Sequence, residues 1–294
     1  MAEANGRNEE EDRVLACVDR SHFADHVADY AAWAARRMHA PLEFLHIIDR
    51  HQEKSKSSDH SGAIGIGARE TLLETLTTED ESRSRAARDA GRIFLDQLRR
   101  RAIAAGVPQP DMRQRHGELE ETLVEQQPDV ALFVLGRRGE SAEVTQRDLG
   151  RNLERVVRAL KRPILTVTDD FAEPQRALIA FDGGATTRRG VELVAGSRLF
   201  RGMPIHVLMS GKARADGAKQ LEWARETLTK AGYEAEAELV PGDAEQIIAR
   251  RVKDLDIDLL VMGSYSHSPL RSLLLGSKTS DLLRSARIPT LLLR

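Results

Sequence analysis

Cysteine is nearly absent from this sequence, since Cys17 is the only thiol among 294 residues. A single cysteine cannot form an internal disulfide, and it cannot supply the paired thiolates of a zinc finger. We therefore expect a protein of a reducing compartment. In it Cys17, which lies inside the apolar run 14–18, is a small core residue.

Other absences narrow the class of protein further. No apolar run approaches the roughly 18 residues of a membrane span, and residues 1–11 are polar and acidic, without the apolar centre of a signal peptide. The 44 basic and 46 acidic side chains give a formal net charge of −2, which provides no global positive field for nucleic acid. The sequence therefore predicts a cytoplasmic protein whose partners include neither a membrane nor a nucleic acid.

Patterns of catalytic and metal-binding residues are missing as well. The sequence has no Ser-His-Asp spacing, no GxSxG nucleophile motif and no Walker A lysine. His22 and His26 are four residues apart on a predicted helix, but no acid or thiol is evidently placed to complete a metal site with them. We therefore assign no catalytic residue and no metal ligand.

The sequence does contain an internal repeat. Arg13-Val-Leu-Ala-Cys-Val-Asp19 corresponds to Arg176-Ala-Leu-Ile-Ala-Phe-Asp182, and in both copies a proline follows 22 residues after the aspartate. The offset between the copies is 163 in the early blocks and about 126 in the late ones, so the first copy has about 37 additional residues. Ordered blocks of this kind indicate a duplication. The later corresponding blocks are 129–136 with 256–263, 149–158 with 275–284, and 162–167 with 288–293.

The repeat predicts two domains. The first spans 12–168 and has the 37-residue insertion within 50–90. A short acidic linker, 169–175, is broken by a proline and leads to the second domain, 176–294. The insertion begins with a polar loop and includes a predicted helix over 68–78. It is either a lid over a pocket or a surface loop.

Each copy alternates short apolar runs with longer amphipathic stretches, which predicts α/β domains with doubly wound parallel sheets. The runs are continuously apolar, as is typical of strands buried on both faces. Predicted N-caps are Ser21 and Asp243, and predicted C-terminal glycines are Gly106 and Gly232. The predicted strands are 14–18, 42–48, 112–116, 130–135, 164–168, 177–181, 205–209, 234–240, 257–262 and 288–293. The predicted helices are 23–38, 84–105, 118–127, 149–160, 187–200, 215–231, 243–254 and 276–286.

Glycines follow the fourth predicted strand of each copy. In the second copy Gly263 ends the strand, and Gly276 with Ser277 opens the next helix. A strand-end glycine permits a close approach of ligand, and the free N–H groups of a helix start bind anions. Open α/β sheets bind ligands outside the carboxyl ends of their strands, where Asp19 and Asp182 also lie. A carboxylate there can bind ribose hydroxyls or hold a divalent ion beside phosphates.

The two copies, their strand-end aspartates and the run 262–277 resemble the universal stress protein family, whose nucleotide-binding members carry Gly-x2-Gly-x9-Gly-Ser/Thr. The resemblance implies Rossmann-like, adenine-nucleotide alpha-hydrolase-like domains, whose final strands 163–168 and 288–293 pair the copies as a pseudo-dimer and cover Leu291–Leu293. It also implies nucleotide sites, with Ile47 and Ser210 lining the adenine through backbone groups. The implied residues of the second copy are Asp182, Ser210, Gly263, Ser266, His267, Gly276, Ser277, Lys278 and Thr279. Those of the first copy are Asp19, Ile47, Gly136, Gly139, Gly150, Arg151 and Asn152.

Both copies depart from the family motif. In the second copy Ser266 stands where the second glycine is expected. In the first copy ten residues separate Gly139 from Gly150, and Arg151 replaces the hydroxyl residue. A serine alters the glycine turn less than a guanidinium alters a phosphate pocket, so we favour the second copy as the nucleotide site.

The family resemblance implies a cytoplasmic regulator of stress resistance that binds ATP with Mg²⁺. Such a protein changes its contacts with protein partners and forms a homodimer. Two alternatives stay open: a nucleotide-free scaffold that acts through protein contacts, and a slow ATP hydrolase. We expect a binding protein rather than an enzyme, because no residue is clearly placed as a general base. The serines of the second glycine loop, among them Ser264, are candidate phosphoacceptors or turn residues.

Overall fold

A computed structural model describes residues 12–48, 68–137, 151–211, 216–264 and 288–294. These residues form one ten-stranded sheet with helices packed on both of its faces. The strands are β1 (Arg13–Val18), β2 (Leu42–Ile48), β3 (Asp111–His116), β4 (Val130–Gly136), β5 (Ile164–Val167), β6 (Ala177–Phe181), β7 (Ile205–Gly211), β8 (Ala235–Pro241), β9 (Leu259–Gly263) and β10 (Thr290–Leu293). The helices are α1 (Ala24–Met38), α2 (Ala68–Ala104), α3 (Leu119–Gln126), α4 (Arg151–Ala159), α5 (Ala185–Gly196), α6 (Gly217–Lys230) and α7 (Ala244–Asp254).

The order of the strands shows the duplication directly. It runs β3-β2-β1-β4-β5-β10-β9-β6-β7-β8, so each half of the chain repeats one arrangement around the centre. Neighbouring strands within each half are parallel, and the halves meet where β5 and β10 pair antiparallel. The predicted tandem α/β fold and the pairing of the two final strands are confirmed. The domain limits 12–168, 169–175 and 176–294 stay predictions.

The junction of β5 and β10, which we call the seam, combines apolar packing with satisfied polar groups. Leu292 lies opposite Ile164 and is 2% exposed. The fully buried Thr166 donates its hydroxyl to the carbonyl of Thr290 at 3.1 Å. Arg137, which follows β4, donates to the hydroxyl of Thr290 at 2.9 Å and to the carbonyl of Ile288. Buried polar groups need such partners, so the seam specifies how the halves join.

The core continues across the seam. On β1, Val14 and Ala16 face one apolar cluster and Leu15 faces the other, so both faces of the strand are buried as its apolar run predicted. The first cluster also contains Val191 of α5 and Leu291 of β10, both from the second half. The halves therefore share packing on that face rather than forming two isolated cores.

The helix ends confirm three of the four predicted caps. Asp243 accepts hydrogen bonds from the backbone N–H groups of Glu245 and Gln246 at the start of α7. Gly106 and Gly232 follow α2 and α6 with φ of 95° and 90°, the left-handed conformation that glycine adopts without strain. The N-cap assignment of Ser21 was wrong, because α1 begins only after Phe23.

Two helices differ from the sequence prediction. Helix α5 ends at Gly196 instead of continuing to 200, because Ser197 accepts a backbone hydrogen bond from Leu199 and starts a separate 3₁₀ turn over 198–200. The helices predicted over 68–78 and 84–105 are one helix, α2, since residues 79–83 between them contain neither glycine nor proline. Helix α2 has 37 residues and its counterpart α6 has 14, so much of the insertion is helical. Residues 49–67 and the helix predicted over 276–286 lie outside the described residues.

Candidate functional site

The predicted site residues converge at the ends of neighbouring strands in each half. Val18 is in register with His46 and Phe181 with Met209, which places Asp19 beside Ile47 and Asp182 beside Ser210. On the other side of each aspartate, β4 ends at Gly136 and β9 ends at Gly263. The sheet therefore brings one carboxylate, one adenine-side position and one glycine together in each half.

The carboxylate of Asp182 is held by its own loop. One oxygen, Oδ1, accepts hydrogen bonds from the backbone N–H of Gly184 at 2.8 Å and from the hydroxyl of Thr187 at 2.6 Å. Gly184 is also the N-cap of α5, so the same loop fixes both the carboxylate and the helix start. Such preorganisation suits recognition of hydroxyl groups, because a fixed acceptor loses little freedom when a ligand donates to it.

The carboxylate of Asp19 has the same local arrangement in the first half. Its Oδ1 accepts hydrogen bonds from the backbone N–H of Ser21, at 3.1 Å, and from the hydroxyl of Ser21. In both halves, therefore, the strand-end aspartate bonds to the residue two positions later. Sequence reasoning selected the aspartates and missed Ser21, Gly184 and Thr187 as their supports, although polar residues just after a strand-end Asp are a usable signal for such a turn.

Two glycines of the second half allow close packing around Asp182. Gly183 has a φ of 76°, and a Cβ added there would meet the side-chain amide of Gln220. A Cβ on Gly263 would lie 3.3 Å from the Cγ2 of Thr186 at the start of α5. A side chain at Gly183 would therefore collide with Gln220, and one at Gly263 would press on the start of α5.

The residues after Gly136 and Gly263 attach both glycine loops to the seam. Ser264 is 2% exposed, and its backbone N–H and hydroxyl donate to the carbonyl of Leu293 at 2.7 and 2.9 Å. This contact favours the turn role of Ser264 over its role as a phosphoacceptor. In the first half Arg137 occupies the same place, with its backbone N–H 3.4 Å from the carbonyl of Val167. Arg137 could not be recognised from the sequence, because its side-chain partners belong to the other half.

Most residues that were predicted to bind phosphate lie outside the described residues. Arg151 and Asn152 begin α4, but their side chains lie outside the described residues. The predicted residues wholly outside them are Gly139, Gly150, Ser266, His267, Gly276, Ser277, Lys278 and Thr279. The described site therefore consists of the aspartates, their supporting loops and the strand-end positions.

His46, the residue before Ile47, has a structural role. It is 8% exposed and its Nδ1 lies 3.0 Å from the carbonyl of Val18, so Nδ1 donates to that oxygen. The ring also contacts Phe94 of α2 edge to face. His46 is therefore a near-core histidine whose ring has a hydrogen-bond partner.

Cys17 should react slowly with thiol reagents in the folded protein. Burial, and to a smaller extent the charge of Asp19, raise the pKa of its thiol from 9.0 to about 12, although the residue as a whole keeps partial exposure. The thiolate is the reactive species, so at pH 8 we expect iodoacetamide to label the folded protein at least about tenfold more slowly than the urea-unfolded chain. Mass spectrometry over time measures this ratio, Cys17→Ala is the unlabelled control, and equal rates would contradict the burial of the thiol.

The same pKa shift predicts a loss of stability in alkali. Because the folded pKa lies above the unfolded one, only the unfolded chain ionises as the pH passes 9. This contribution to the free energy of unfolding is complete below pH 9 and is lost progressively as the pH rises toward 12.

The described residues show neither a metal-binding cluster nor a membrane span. They hold no group of three or more His, Cys, Asp or Glu side chains that could bind a metal ion. They also include no helix that is long and apolar enough to cross a membrane.

Comparisons with known proteins agree with this geometry. The model of the universal stress protein family matches residues 11–168 and 205–294. The chain is 34% identical to the universal stress protein Slr1230 of Synechocystis over 284 residues, which cover 96% of this chain and 99% of that protein. A universal stress protein structure from Archaeoglobus fulgidus aligns over 97% of both chains with a TM-score of 0.68 and 16% identity. One from Pseudomonas aeruginosa aligns over 97% of this chain and 94% of its own, with a TM-score of 0.61 and 17% identity.

Proposed function

Because this chain belongs to the universal stress protein family, we propose that it binds an adenine nucleotide, ATP with Mg²⁺, at the strand-end crevice of its second half. The ribose hydroxyls donate to the carboxylate of Asp182, and the adenine lies beside Ser210. The phosphates lie toward the glycine loop that follows Gly263. We further propose that the bound nucleotide changes the contacts of this cytoplasmic regulator with its protein partners.

The observation that carries the proposal is the fixed carboxylate of Asp182 between Ser210 and Gly263. A fold of this class hosts many activities, so family membership alone does not select a ligand. The loop that holds Asp182 through Gly184 and Thr187 supports a nucleotide as the ligand. It orients a charged acceptor at the sheet edge where open α/β folds bind nucleotides.

The first half fits a structural role better. Its loop residue Arg137 is 8% exposed and directs its guanidinium to Thr290 and Ile288 of the seam. This contact favours the first half as a scaffold copy that supports the second. The chain then combines one nucleotide-binding crevice with one copy that acts through contacts within the protein.

Calorimetric titration with ATP and with AMP in the presence of Mg²⁺ tests the proposal. Asp182→Asn keeps an oxygen for the Gly184 and Thr187 contacts and removes the charge, so we expect about tenfold weaker binding, as for a lost hydrogen bond to a charged group. Asp19→Asn is the matched control in the first half and should change the affinity by less than about twofold. Equal loss in both variants would contradict the assignment to the second half.

Tryptophan fluorescence supplies an independent reading of the same site. Trp223 is half-buried and stacks on Phe181, the residue before Asp182, whereas Trp33 is fully buried in the core. Nucleotide at Asp182 should therefore change Trp223 emission, and Trp223→Phe should remove the signal while calorimetric binding persists.

If neither ATP nor AMP binds at millimolar concentration, the nucleotide-free scaffold is the better function. Phosphate release that Asp182→Asn abolishes would instead identify a slow hydrolase.

A further inference from the structure

A second, strongly basic crevice lies between the two halves. It has a volume of about 270 Å³ and is lined by the end of α1, the 3₁₀ turn after α5 and the segment between β5 and β6. Four arginines, one histidine and one carboxylate line it: Arg36, Arg37, His39, Glu173, Arg198 and Arg201. Because like charges are drawn together from separate parts of the chain around a single carboxylate, the crevice has a positive potential that favours an anion.

Hydrogen bonds between the two halves hold the lining of the crevice in place. Arg37 donates from Nε to the carbonyl of Leu199 at 3.1 Å and from a terminal nitrogen to the carbonyl of Arg201. These bonds fix α1 of the first half against the 3₁₀ turn of the second. His39 follows α1 with a φ of 56°, so the backbone turns sharply at the rim.

The electrostatic surroundings agree with a concentrated positive charge. The hydroxyl of Tyr233 donates to the carbonyl of Ser197 at 3.0 Å, next to the 3₁₀ turn. Burial raises the pKa of Tyr233, and the charges of Arg201 and Arg37 offset part of that rise. Glu173 contacts Arg36 at 3.8 Å, with 46% and 42% of their side chains exposed, which is a weak and easily displaced pair.

This crevice is separate from the candidate nucleotide site. Helix α1 begins near Asp19 and α5 begins near Asp182, and the crevice lies at or beyond the far end of each. These helices have 15 and 12 residues and are therefore roughly 20 Å long, so about that distance separates the crevice from the aspartates.

We propose that the basic crevice binds a small anion with two linked phosphoryl groups. Guanidinium groups pair with phosphate oxygens in a bidentate manner, and several can share one diphosphate. The volume suits a small ligand better than a folded protein surface. A ligand there contacts α1 of the first half and the 3₁₀ turn of the second, so it stabilises the junction of the halves by mass action.

The test is calorimetric titration of the full chain with pyrophosphate at constant ionic strength, with a parallel arm using ADP. The double variant Arg36→Gln/Arg198→Gln keeps Arg37 and its bonds, and it should weaken pyrophosphate binding at least tenfold. Arg100→Gln/Arg250→Gln removes the same charge at exposed positions elsewhere and should change the affinity by less than twofold. Glu173→Gln should tighten binding by about twofold or more, since it removes the carboxylate that pairs with Arg36.

The outcomes separate the alternatives. If the crevice variant weakens the binding of pyrophosphate, the ligand is a free diphosphate. If it weakens the binding of ADP to the same extent, the ligand is a diphosphate carried by a nucleotide. Binding that the control pair weakens equally overturns the proposal, because it reports only net charge. Absence of binding in both arms also overturns it, and so does capture of an acidic peptide without pyrophosphate, which would make the crevice a protein-docking surface.

Discussion

Leu292→Lys is expected to destabilise the whole protein by at least about 4 kcal/mol, because it places a charge in the middle of the seam. Leu292 is 2% exposed and lies between Ile164 of β5 and Met262 of β9. The substitution removes a buried apolar side chain and introduces an ammonium group for which the surrounding apolar side chains offer no partner. Urea unfolding followed by circular dichroism measures the loss of free energy.

The control for this prediction is Leu292→Met, which conserves volume and polarity and should cost less than about 1.5 kcal/mol. Leu292 lies in an apolar cluster that contains residues of both halves, among them Phe133 and Leu260, so we expect the lysine variant to loosen their packing as well. A larger hydrodynamic radius in analytical ultracentrifugation would show this. An unchanged radius together with an unchanged urea midpoint would mean that the seam does not hold the halves together.

The sequence predicted the fold well because duplication and strand burial leave strong, local signals. Continuous apolar runs place eight of the ten strands to within a few residues, β3 and β8 were predicted without such a run, and the repeat fixes which strands correspond. The antiparallel pairing of β5 with β10 came from family resemblance, since nothing in the run 164–167 distinguishes its partner. The errors fall at ends and joins: Ser21 bonds to Asp19 instead of capping α1, and α2 continues through a polar stretch.

The candidate site was predictable only where its residues act locally. Asp19 and Asp182 end apolar runs, so their positions at the carboxyl edge follow from the fold. Arg137 was not predictable, because its guanidinium bonds to residues about 150 positions away in the other half. The basic crevice was missed for the same reason: Arg36 and Arg198 look like ordinary exposed helix charges until the fold brings them together.

A buried carboxylate, Glu43 of β2, was also not predicted from the sequence. Glu43 of β2 has a side chain only 5% exposed, between Arg13 and Arg113. The Nε atoms of these arginines approach it at 2.8 and 2.7 Å as ion pairs, and Arg113 Nη2 donates a hydrogen bond at 3.0 Å. At the corresponding place of the second half His206 contacts Glu238 at 2.9 Å, so the repeat keeps a polar pair here and moves its acid to the neighbouring strand.

Glu43→Ala is therefore expected to lower the free energy of unfolding by about 3–5 kcal/mol, because it leaves two guanidinium groups around a buried position without their shared anion. Chemical unfolding measures this loss. Glu125→Ala is the matched control, since Glu125 pairs with Arg115 on the surface with 67% of its side chain exposed, and it should cost less than about 1 kcal/mol.

A double-mutant cycle separates the ion pair from simple loss of packing. If the cost of Glu43→Ala comes from uncompensated charge, adding Arg113→Ala should restore about 1 kcal/mol or more, since coupled neighbours are not additive. Additive losses would mean that Glu43 is not energetically coupled to Arg113. Coupling would instead show that the charged network at this sheet edge helps hold the edge strand β3 to β2.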